Sequence, residues 1–82
     1  MISAQKIQSL VEAALPGSQV QAEDTTGTHD HFQMIVVSPA FEGKGMVERH
    51  RMIYAILGAA VGGAIHALSL KTLTPSEAEK RS

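Results

Sequence analysis

The chain is predicted to fold as a single α+β domain spanning residues 1–82, with elements in the order αββαβ and a final helical turn. Three observations predict this. Apolar residues recur at helical spacing in two separate segments, near the N-terminus and after Met46. Between them lie two short stretches of strand character, separated by a turn-rich segment. A length of 82 residues leaves room for one small core.

Each element has its own local signal. Ser3 can cap a helix in which Ile7, Leu10, Val11 and Ala14 share a face, and Pro16-Gly17 ends it. Val20, Ala22 and Asp24 alternate with Gln19, Gln21 and Glu23, as in a half-buried strand. Residues 24–30 are rich in turn formers and read as a hairpin connection. A second strand over 32–37 is apolar on both faces and therefore central. Pro39 and Gly43 frame a loop. The long helix that follows carries Val47, Tyr54, Leu57 and Val61 on one stripe, with Gly62-Gly63 as its stop. A third strand is expected over 65–70, and Thr74-Pro75-Ser-Glu77 is a capping box that opens a short last helix. A hairpin followed by a crossover helix gives a three-stranded mixed sheet with helices packed on one face.

Composition narrows the function. Residues 52–70 hold no charged side chain when His66 is neutral, close to the length of a membrane span. Gly58, Gly62, Gly63, His66 and Ser69 interrupt that run, so a helix followed by a buried strand explains it better. The first residues lack the basic-then-apolar layout of a signal peptide, and a cytoplasmic location with no membrane contact is expected. A net charge of −1 argues against a domain that coats nucleic acid. With no cysteine, disulfides, thiolate catalysis and all-cysteine metal sites are excluded in this chain.

The four histidines are the main chemical resource. His66 reads either as a satisfied residue of a strand face or as a ligand. His29 and His31 flank Asp30, either as solvated loop residues or as part of a metal site that needs a further ligand. Lys44, Arg49, His50 and Arg51 form a basic cluster diluted by Glu42 and Glu48, either a solvated helix face or a surface for a partner or a phosphate. No serine sits in a glycine-framed elbow, and Gly43-Lys-Gly45 is too short for a phosphate loop. Glu23 and Asp24 are adjacent on a strand and point to opposite faces, so they do not suit shared acid–base work. The chain therefore does not read as an enzyme.

Phe41-Glu-Gly-Lys44, Glu48-Arg-His-Arg51 and Tyr54, then Ile65-His-Ala-Leu-Ser-Leu-Lys-Thr72 and Thr74-Pro75, together resemble the BolA-like family. Glu23-Asp-Thr-Thr26 and Asp30-His-Phe-Gln-Met-Ile-Val-Val-Ser38 add to the likeness, which covers about residues 5–77. The resemblance implies an αββαβ fold similar to a class II KH domain. It also implies a heterocomplex with a monothiol glutaredoxin around a shared 2Fe-2S cluster, with roles in cluster trafficking, iron sensing and stress responses. By the same resemblance His66 is the family's C-terminal cluster ligand, and the second ligand is His29 or His31, with His29 slightly ahead. Imidazole can replace thiolate on cluster iron and raises its potential. The cysteine ligand would come from the glutaredoxin, with glutathione supplying another.

The resemblance departs in two places. Ala78 stands where the family often has tryptophan, and the end of the long helix is glycine-rich rather than acidic. The rival expectation is a KH-like nucleic-acid-binding transcriptional regulator using Lys44, Arg49 and Arg51, although Gly43-Lys-Gly-Met46 is not a Gly-x-x-Gly clamp. A homodimer is compatible with either reading.

Overall fold

The computed structural model describes residues 3–25, 31–61 and 67–81, apart from the side chains of 59–61, 67 and 81. The first helix, α1 (Ala4–Ala14), starts where Ser3 Oγ accepts the Lys6 N–H at 3.1 Å. This satisfies one of the donors left open at a helix start, and such caps stabilise by about 1 kcal/mol. The chain leaves α1 through Gly17, whose φ of 83° is one that side-chain-bearing residues rarely adopt. Strands β1 (Gln19–Asp24) and β2 (His31–Val37) then pair antiparallel, from Gln19↔Val37 to Asp24↔Phe32. The hairpin connection expected between them falls largely outside the described residues.

A 3₁₀ turn at Pro39–Phe41 occupies the predicted loop and leads into α2 (Met46–Val61). Next comes β3 (Ala67–Leu73), parallel to β2, and then α3 (Pro75–Arg81). Strand order is β1-β2-β3, so β2 is central as its two-sided apolar character predicted. Sheet alternation turns Val20, Phe32, Met34 and Val36 toward α1 and α2, where they join Ile7, Val11, Ile53, Leu57 and Phe41 in one core. Burial of these side chains is the main source of stability, at about 1.5–3 kcal/mol each.

Two expectations need correction. The third strand, expected over 65–70, is described over Ala67–Leu73 and so ends three residues later, while 65 and 66 lie outside the described residues. Its last residues find partners that a local reading does not see: Ser38 N–H donates to Leu73 O at 2.9 Å, and Thr72 is buried. The inward stripe of α2 was placed on Val47, Tyr54, Leu57 and Val61. Of these Leu57 is buried, Val47 and Tyr54 are 64% and 50% exposed, and the Val61 side chain lies outside the described set. Arg49, Ile53 and Leu57 define the buried face instead, spaced four residues apart.

Beside α3, Pro75, Ala78 and Glu79 line a groove of about 450 Å³ with Gly17, Gln19 and Val37. The uncharged run that first suggested a span is divided between α2 and β3. Among the described residues no helix is long and apolar enough to cross a membrane.

Candidate functional site

At the end of the sheet where β2 and β3 finish, four elements meet around Arg49. Its guanidinium is drawn inward because each of its three nitrogens finds an acceptor. Nε donates to Lys44 O at 2.9 Å, and Nη1 donates to Thr72 O at 3.3 Å and to Glu77 Oε1 at 2.7 Å. Nη2 donates to Glu77 Oε2 at 3.3 Å, which makes the carboxylate contact bidentate. The guanidinium carbon also lies 5.8 Å from the centre of the Phe41 ring, within cation–π range.

Glu77 has a second task in the same place. Its Oε1 accepts the Thr74 N–H at 2.9 Å, while Thr74 Oγ1 accepts the Glu77 N–H at 3.1 Å. This is the predicted capping box, closed in both directions. Hydrogen bonds from Arg49, and then from Thr74, hold the Glu77 carboxyl down at about 2 from its ordinary 4.5. The same carboxylate raises the pKa of Arg49 further.

The opposite end of the sheet is built differently. Here β1 finishes while β2 and β3 begin. Thr25 N–H and Oγ1–H both donate to His31 O, at 3.0 and 3.2 Å, which pins the β1–β2 pair. The His31 side chain is exposed, on the sheet face away from α1 and α2. Its register partner across the parallel pair is Ala67, the residue that follows His66 in the chain. Neighbouring strands lie about 4.8 Å apart. His29 and His66 themselves lie outside the described residues. Among the described residues no group of three or more His, Asp or Glu side chains could hold a metal by itself.

The expected site residues that the structure describes therefore separate into two places, roughly 20 Å apart along the seven residues of β2. Lys44, Arg49, His50 and Arg51 lie at the start of α2, at the far end from His31. Within that basic group the fates differ. Arg49, expected to face a partner or a phosphate, is only 7% exposed and engaged inside the fold, because Glu77 and two carbonyls satisfy it there. His50 is half-buried, and its Nε2 is buried with no hydrogen-bond partner among the described residues. Lys44 is half-buried and Arg51 exposed, so these two are the cations of the cluster that still reach solvent.

Sequence reasoning missed Phe41, Thr72 and the pairing of Glu77 with Arg49. The four-residue spacing of Arg49, Ile53 and Leu57 was the available signal that Arg49 faces inward.

An αββαβα domain with a mixed sheet, a capping box tied to an inward arginine and a histidine at the start of β2 defines a narrow structural class. Residues 9–77 match the family described as BolA-like protein, and the chain belongs to that family. It is 33% identical over 78 residues to human BolA-like protein 1, a match covering 87% of this chain and 57% of that protein. Over 53 residues it is 42% identical to the DNA-binding transcriptional regulator BolA of Escherichia coli, covering 65% of this chain and 50% of that protein. The chain thus spans little more than half the length of these curated relatives. Among solved structures, a BolA protein homologue from Coxiella burnetii superposes with a TM-score of 0.80 at 41% identity, covering 96% of this chain and 99% of that one.

Proposed function

We propose that this chain is a non-enzymatic BolA-like adaptor of the cytoplasm, which forms a heterocomplex with a monothiol glutaredoxin and shares a bridging 2Fe-2S cluster with it. The observation that supports this most is the parallel register that starts β2 and β3 at one level. His31 is thereby paired with the residue following His66. His66 and one of His29 or His31 are this chain's ligands in the proposal. Imidazole is the donor a cysteine-free chain can offer to cluster iron, and the partner and glutathione complete the set. When bound, the cluster supplies one-electron chemistry or is itself the cargo. The chain's part is to hold imidazoles at a strand-start end whose opposite end is locked.

Mixing the protein with a monothiol glutaredoxin, iron, sulfide and glutathione is expected to give a coloured heterodimer. Its absorption and circular dichroism should differ from those of the glutaredoxin homodimer. A spectrum identical to that of the glutaredoxin alone, with no co-elution, would overturn the proposal.

A second reading, DNA-binding regulation, is favoured by the name of the Escherichia coli relative and by exposed Arg51. It has lost Arg49 as a phosphate contact. Its test is retardation of duplex DNA at low salt, with an affinity that falls steeply as salt rises. No retardation at low salt eliminates it.

A further inference from the structure

A different chemistry follows from Met46. The chain holds no cysteine, so its oxidisable sulfur lies in four methionines. Among the described ones, Met34 is 1% exposed inside the core and Met52 is half-buried, while Met46 is 57% exposed at the first residue of α2. Its sulfur is nevertheless engaged: Thr72 Oγ1–H donates to Met46 Sδ at 3.4 Å. Thr72 is 1% exposed, and its carbonyl accepts from Arg49 Nη1 at 3.3 Å. Met46 and Arg49 are three residues apart on one helix, which puts them on neighbouring turns of the same side. The first turn of α2 therefore holds one residue of β3 by two hydrogen bonds, one to its hydroxyl and one to its carbonyl.

We infer that Met46 is a reversible oxidation site of this chain, and that its sulfoxide weakens the tie between α2 and β3. A peroxide delivers one oxygen to the thioether. A sulfur lone pair forms the S–O bond, the O–O bond breaks, and hydroxide leaves and takes a proton to give water. The sulfur is oxidised by two electrons and the peroxide reduced by two. Exposure gives the oxidant access, and methionine sulfoxide reductases reverse the change. In the product the sulfur has lost acceptor strength, and the new oxygen is polar and drawn to water. The buried Thr72 hydroxyl is left without its acceptor, an unfavourable state for a buried donor. Arg49 then holds Thr72 alone.

Limited hydrogen peroxide followed by tryptic mass mapping tests this, because cleavage after Lys44 and Arg49 isolates Met46 from the other three methionines. Met46 is expected to oxidise at least about tenfold faster than Met34, and ahead of Met52. The oxidised chain is expected to melt about 2–5 °C lower. Met46→Gln, a polar mimic, should reproduce that decrease without oxidant. Met46→Leu also lacks the sulfur acceptor, so peroxide should cause no further decrease in it, and Thr72→Val should oxidise at Met46 with no further decrease. If Thr72→Val does not fold, the two exposed Met46 variants decide alone. Oxidation of Met34 or Met52 first, an unchanged Tm at full Met46 conversion, or an equal peroxide-induced decrease in Met46→Leu would each overturn the inference.

Discussion

At one end of the sheet, Arg49, Glu77, Thr74, Thr72 and Phe41 bring the 3₁₀ turn, α2, β3 and α3 together through charge-assisted hydrogen bonds. At the other, His31 stands exposed at a strand start, and no described ligand group is complete there. Both ends carry groups that could have been read as functional. The difference teaches that a cationic side chain bonded through all three of its guanidinium nitrogens is a structural fastening, whereas the exposed imidazole of His31 is the group that the proposal assigns to chemistry. Locking one end also fixes the parallel register that sets the other, since β3 is held at Thr72 and Leu73 and begins six residues before Leu73 in the sheet's frame.

Substitutions can break this contrast, the largest effect first. Phe41→Ala removes a fully buried ring from beneath the guanidinium and is expected to cost about 3–5 kcal/mol in urea unfolding. Arg49→Ala leaves the Glu77 carboxylate without its main partner and should lower Tm by several degrees. Arg51→Ala on the exposed side should change stability by less than about 0.5 kcal/mol. Equal effects of the two arginine changes would remove the distinction drawn between them.

Acid provides a subtler probe. The pKa of Glu77 is depressed in the folded state, so its contribution is fully present above its ordinary value of 4.5. That contribution is lost as pH falls from 4.5 toward about 2. Glu77→Gln should flatten that part of the stability–pH curve. A modest gain is expected elsewhere: Ala78→Trp should fill the groove beside Val37 and Pro75 and add about 0.5–2 kcal/mol in urea unfolding.

The sequence made some of this legible and not the rest, for physical reasons. Ser3 with Lys6 and Thr74 with Glu77 are contacts over three residues, and local spacing was enough to read both. The αββαβ order and the central position of β2 followed from hydrophobic patterning in the same way. Arg49 was misread because its partner lies 28 residues away, and a charged residue on a helix is usually solvated. That error also rotated the expected stripe of α2 toward Val47 and Tyr54. For β3, the pairing of Ser38 with Leu73 extends the strand beyond its apolar run. Of the candidate ligands, only His31 lies within the described residues, so the choice between it and His29 rests on the resemblance alone.

The most direct test substitutes one end of the sheet at a time and reads the cluster. His66→Ala, Arg51→Ala and the unsubstituted chain should each be mixed with a monothiol glutaredoxin, iron, sulfide and glutathione. Visible circular dichroism should then be recorded on the co-eluting complex. His66→Ala is expected to lose the mixed-complex signal while retaining its Tm, and Arg51→Ala to keep it. An unchanged signal from His66→Ala, or a signal lost only in Arg51→Ala, would contradict the assignment of the cluster to the strand-start end.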